Sequence, residues 1–275
     1  MQNNIDKEED IMRVEEKPDV EALWRESQKN FILNLLRQGQ NMQEIMESLP
    51  GFKEAFTSEL DEIDCSDERV PAQSGKKIGL AGQLILAGED EINSFIERHK
   101  GRIKKVNSHD NCGAAGLKYA EMVQKGEALP EGVTDGDSLG VCHSKSFAEK
   151  LGAEYNNIDK DEMTGDIHNA RAICFDGTGR FNPSLVKEMP VCFVCSAPGF
   201  GLSDNYCKTE LATLIGKVAF GSHGFGDRFT GENPLYIFVS AKDKKDLKRL
   251  MEVAEEGIKE FGERVKVEGF VAEIE

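Results

Sequence analysis

Residues 102–124, RIKKVNSHDNCGAAGLKYAEMVQ, decide the fold. RIKKVNS (102–108) reads as a strand. The stretch from His109 on starts a helix rich in small residues. A strand running directly into a helix is the start of a β-α-β unit, which calls for a parallel sheet covered by helices.

The same alternation continues on both sides. Upstream, KKIGLAG (76–82) is a short strand ending in a glycine turn. Residues 89–100 form an amphipathic helix with Ile92, Phe95, Ile96 and His99 on one face. Downstream, a Gly/Asp-rich linker (130–140) leads into a short helix at 144–151. ARAICF (170–175) and PVCFVCSA (190–197) are strands, the second apolar on both faces and therefore central. A helix at 206–219, a strand at 234–240, a helix at 243–261 and a strand at 265–274 follow. The expected fold is α/β, with a central, largely parallel sheet flanked by helices, an N-terminal helical arm and a C-terminal β-α-β-α-β addition. The expected segments are an acidic, disordered tail at 1–18, the arm at 19–58, a core at 59–185 and the C-terminal α/β extension at 186–275. In the arm, Val20, Trp24, Phe31 and Leu35 recur at helical spacing. No internal repeat shows at a fixed period.

Composition narrows the function classes. The 275 residues carry a net charge of −16 and no basic block with interleaved aromatics, which argues against nucleic acid and anionic membranes as partners. No apolar run reaches the ~18–20 residues that span a bilayer. The N-terminal stretch has no basic-then-apolar signal pattern, and seven cysteines fit reduced thiols in a cytoplasmic protein better than a disulfide framework.

CSDERV (65–70) sets Cys65, Asp67 and Arg69 at alternate positions. On an extended segment the three share one face. Downstream, His109 and Cys112 form a His-x-x-Cys pair on a first helical turn, where residues three apart are neighbours. Two thiolates and an imidazole suit Zn²⁺ in a tetrahedral site with its fourth position open. Arg69 would hold the Asp67 carboxylate, which then orients the water at that position or replaces it.

These two half-motifs, CSDERV followed by SHDNCGAA, resemble the zinc signature of the β-class carbonic anhydrases, Cys-x-Asp-x-Arg then His-x-x-Cys-Gly. The likeness covers roughly residues 60–120. It implies zinc on Cys65, His109 and Cys112, an Asp67–Arg69 catalytic dyad, and reversible hydration of CO₂ to bicarbonate by zinc-bound hydroxide. It also implies a homodimer or higher homo-oligomer, with N-terminal helices embracing the partner subunit. The chain departs from the pattern at Glu68, where the family has Ser, and at Ser108, where it has Gly. Gly79-Leu80 stands where Arg-Asn is common, and the interval from 65 to 109 is short. Two other readings go with the motif: a zinc hydrolase acting on another small substrate such as CS₂, and a non-catalytic, zinc-stabilised binding protein.

Elsewhere the bland reading leads. Cys192 and Cys195 in CFVC point to opposite faces of a strand and read as buried thiols. His168 and Cys174 read as packing residues, Cys142-His143 as a loop or cap, and Asp135 and Asp137 as turn residues. APGFGLSDN (197–205) and GSHGFGDRF (221–229) read as turns, and the lysine-rich face of the 243–261 helix as solvated.

Overall fold

The computed structural model describes residues 19–57, 59–71 and 76–272. The tail expected at 1–18 lies outside the described residues. The expected parallel α/β architecture is present, divided into two four-stranded sheets. The first contains β1 (Glu62–Asp64), β2 (Lys77–Gly79), β3 (Lys105–His109) and β4 (Glu154–Ile158), in the order β2-β1-β3-β4. The second contains β5 (Ala172–Asp176), β6 (Cys192–Cys195), β7 (Leu235–Ala241) and β8 (Val265–Val271), in the order β6-β5-β7-β8. Every pairing within each sheet is parallel.

The sheets touch along the edges of β2 and β6. Ser196 N donates to Gly79 O at 2.8 Å, and Gly79 N donates to Ser196 Oγ at 3.1 Å. A Cβ on residue 79 would lie 2.0 Å from Val194 O, so only glycine permits this approach. β5 lies within the 59–185 segment of the sequence reading, yet it pairs with β6 and β7 from the C-terminal extension.

Helices connect the parallel strands. α4 (Glu89–His99) follows β2, and α5 (Gly113–Lys125) and α6 (Gly136–Leu151) follow β3. α7 (Asp204–Thr213), continued by a π-helical turn at Leu214–Ala219, follows β6, and α8 (Lys244–Ile258) follows β7. The second sheet is buried on both faces. All seven residues of β7 are buried. Ile173, Phe175, Ile237 and Val239 face the core under α7 and α8, with Leu211 and Leu250. Cys174, Tyr236 and Phe238 face the opposite cluster.

The N-terminal arm comprises α1 (Val20–Ser27), α2 (Phe31–Arg37) and α3 (Met42–Ser48). α2 and α3 close that second cluster, while Val20, Leu23 and Trp24 of α1 pack against the first. Asp19, Asn30 and Asn41 cap the three helices, each side chain accepting from backbone N–H groups of the first turn. Ile32, Leu33, Ile45 and Met46 pack with Phe181, Tyr236 and Phe270, so the arm covers the second sheet of its own chain.

Two elements differ from the sequence reading. β4, a short and mostly polar edge strand, carries little apolar signal. α6 begins at Gly136 inside the stretch read as a linker, where Asp135 and Ser138 form a capping box. The glycines there serve a helix crossing. A Cβ on Gly136 would lie 2.7 Å from the Gly116 Cα of α5, and one on Gly140 would lie 3.1 Å from the Ala115 Cβ. Among the described residues, no helix is long and apolar enough to cross a membrane.

Candidate metal centre

β1 and β3 are parallel neighbours, so their C-terminal ends lie side by side, where ligand sites of open α/β sheets form. Cys65 follows β1, His109 ends β3, and Cys112 is the N-cap of α5. The three residues are 5%, 4% and 6% exposed. Their ligand atoms lie within 4.8 Å of one another, so the cluster could hold a metal ion.

The local geometry fits a cation. Cys65 Sγ and Cys112 Sγ are 4.0 Å apart. Two sulfurs held at ~2.3 Å by one tetrahedral ion stand about 3.8 Å apart. His109 Nδ1 lies 2.9 Å from Asp110 O, and a carbonyl only accepts, so Nδ1 carries the proton. Nε2 then presents a lone pair. It is buried and has no hydrogen-bond partner among the described residues. A backbone carbonyl that fixes the tautomer of a ligating imidazole is the usual support of such a ligand.

The two thiols divide, and only Cys65 is biased toward its thiolate. A hydrogen bond from Cys112 and the charge of His109 pull Cys65 well below the usual thiol range, while the same bond and burial push Cys112 up. For His109, burial opposes the charged form, but the Cys65 charge outweighs it and shifts the imidazole up. Gly82 N donates to Cys65 Sγ at 3.4 Å. Gly82 adopts φ +53°, and a Cβ there would press Ile85 and Ala114 at 2.8 and 2.9 Å. Glycine is thus required where the backbone cradles the sulfurs.

Asp67 and Arg69 sit beside the cluster in a turn, not on the extended segment expected from the alternating spacing. The Asp67 side chain accepts from the Arg69 backbone N–H at 2.9 Å, an Asx-type turn that brings the guanidinium onto the same carboxylate. Arg69 Nε and Nη2 then donate to Oδ1 and Oδ2 at 3.1 and 2.7 Å, a bidentate fork. Burial alone would raise the Asp67 carboxyl. The Arg69 hydrogen bonds and the charges of His168 and Arg69 outweigh it and hold Asp67 well below the usual carboxylate range.

Glu68 and His168 were not legible as site residues. Because the segment turns, Glu68 accepts from Asn169 N at 2.9 Å, and its Oε2 lies 3.0 Å from His168 Nδ1. His168 Nδ1 is also 3.7 Å from Asp67 Oδ1, so the imidazole joins the site instead of serving only as packing. Asp67, Glu68 and His168 converge as a second acid–imidazole trio, but Arg69 already occupies both oxygens of Asp67.

A cavity of about 700 Å³ opens over the cluster. The first sheet lines it with Cys65, Asp67, Arg69 and Cys112, and the second with Phe193, Leu214, Lys217, Val218 and His223. Glu210 of α7 also crosses between the sheets. Its Oε1 accepts from Ala81 N at 2.6 Å and from Ser66 Oγ at 3.3 Å, beside the Gly82 cradle. No signal in the sequence joins residue 210 to residue 66. Cys192, Cys195 and Cys174 lie apart from the cluster in the second sheet, and all seven cysteines are free.

In comparisons with known proteins, no family model, no curated protein and no solved structure matches the chain.

Proposed function

We propose that this chain is a zinc protein of the β-carbonic-anhydrase type, a lyase that reversibly hydrates CO₂ to bicarbonate. The observation that carries the reading is the convergence of Cys65, Cys112 and the unpartnered His109 Nε2, with both thiols and an Arg69-held Asp67 lining one cavity. Two thiolates and an imidazole select a borderline-soft ion, and zinc takes that set readily. When bound, zinc supplies Lewis acidity and lowers the pKa of its water toward ~7. The protein's part is positional. Cys65, His109 and Cys112 would hold the ion. Asp67, kept ionised and oriented by Arg69, would accept a hydrogen bond from the attacking group. Phe193, Leu214 and Val218 give the cavity an apolar wall, suited to an uncharged linear molecule. A cytoplasmic location would keep Cys65 and Cys112 reduced.

Purified protein is expected to contain about one zinc per chain, and Cys112→Ser to lose it. Stopped-flow hydration across pH 7–9 should show activity in the wild type. Asp67→Asn should lose on the order of 100-fold or more while retaining zinc, the scale of a removed general acid–base group. A folded, metal-free protein from zinc-replete cells, or a zinc-loaded protein inactive across that range, would sink the reading.

A further inference from the structure

The two sheets share one strand order, and the match extends beyond order. In the first sheet Ile63 pairs with Ile78 and Val106; in the second Ile173 pairs with Phe193 and Ile237. The offset of 115 that takes residue 78 to 193 also takes Glu89, the first residue of α4, to Asp204, the first of α7. The offset of 131 that takes 106 to 237 also takes Gly113, the first residue of α5, to Lys244, the first of α8. The second sheet thus repeats the first strand for strand, and α7 and α8 start where α4 and α5 do, while α6 has no counterpart.

In that correspondence the metal cluster has no counterpart. Cys65 falls on Phe175, His109 on Ser240 and Cys112 on Asp243. The equivalent place is filled instead. Asp176 accepts from Thr178 N and Oγ1, Ser240 Oγ and Phe181 N, while Asp243 caps α8. Leu250 Cδ1 lies 2.1 Å from where a Cβ on Gly177 would stand.

The repeat unit gives its side chains to the first unit's cavity. The π-helical turn Leu214–Ala219 carries Leu214 and Val218 to the wall, with Phe193 of β6 beside them. Val218 Cγ2 lies 4.0 Å from a Cβ position on Gly113, the neighbour of Cys112. An inserted π turn re-aims helix side chains and recurs at functional sites. We propose that the second unit is a degenerate repeat that has become the wall of the metal cavity, with Val218 and Leu214 as specificity-determining residues that admit small linear or trigonal molecules and exclude aromatic ones. The proposal rests on the metal reading above, since the wall selects what reaches the ion.

The test uses the full chain loaded with cobalt(II), whose visible bands report both thiolate ligation and occupancy of the open position. Acetate is expected to perturb the bands of the wild type, and benzoate at the same concentration is not. Val218→Ala should gain about tenfold or more in benzoate affinity, the scale of removed side-chain carbons in a fitted pocket, with acetate affinity and cobalt stoichiometry kept. Val218→Phe should lose acetate binding while keeping cobalt. Unchanged acetate and benzoate affinities in either cobalt-loaded variant overturn the proposal. A wild type without a thiolate-to-cobalt band overturns the metal reading itself, and the wall with it.

Discussion

Asp67 owes its orientation to Arg69, and Arg69 is itself only 8% exposed. A buried pair of this kind is strongly destabilised when one partner goes, because the other keeps its desolvation penalty without its counter-charge. Arg69→Gln is therefore expected to destabilise the chain by about 3 kcal/mol, read from urea unfolding. A change under ~1 kcal/mol, the range of exposed pairs, would show that water reaches the carboxylate. The five candidate residues were legible in the two half-motifs. Cys65, His109 and Cys112 converge, but not through a first helical turn: His109 ends β3 and Cys112 is the N-cap of α5, so the two parallel strand ends bring the three together. Glu68 and His168 were not legible. The turn that seats Asp67 against the Arg69 N–H abolishes the two-residue alternation, and residue 168 comes from a loop 100 positions away.

At the scale of elements, α7 is tied to the first sheet by Glu210. Burial raises that carboxyl to about 7, and its hydrogen bonds from Cys195, Ala81 and Ser66 only partly offset it. A folded pKa above the unfolded one favours the protonated fold. The stability Glu210 contributes is present below about pH 4.5 and is lost as pH rises through about 7. Glu210→Gln keeps an acceptor for Ala81 N and cannot ionise. Relative to the wild type, the metal-free variant should therefore gain stability between pH 5 and pH 8, by up to about 3 kcal/mol. Paired thermal melts across that range check this, and a difference independent of pH would exclude an ionising Glu210. Long, strongly periodic segments such as α4 and α8 were readable from apolar spacing alone. α6 was not, because Gly136 and Gly140 look like linker residues until the α5 backbone is seen against them.

At the scale of the whole molecule, the repeat escaped the sequence because no single period describes it. Corresponding strands are offset by 110 (63 to 173), 115 (78 to 193), 131 (106 to 237) and 112 (155 to 267). Loops of unequal length separate the strands, and of these four aligned positions only 63 and 173 carry the same residue, the others keeping apolar character alone. The arm shows the same dependence on distant partners. Arg171 is 1% exposed and makes no ion pair among the described residues, and burial lowers it to about 10. Its guanidinium lies 4.2 Å from the Trp24 ring, and Nη1 donates to Ser27 Oγ at 2.9 Å. Trp24 in turn meets Phe225 and Phe229 edge-on at 4.9 and 5.5 Å. The arm thus supplies the π face that a buried cation in the second unit requires. Trp24→Ala should destabilise the chain by about 3 kcal/mol. Arg171→Met should be close to neutral, since it removes a desolvated charge while keeping the volume. If the ring and the cation support one another, Trp24→Ala should destabilise the Arg171→Met background by about 1–2 kcal/mol less than the wild type. Additive losses in that double-mutant cycle would reduce Trp24 to an ordinary packing residue and leave the Arg171 charge without its partner.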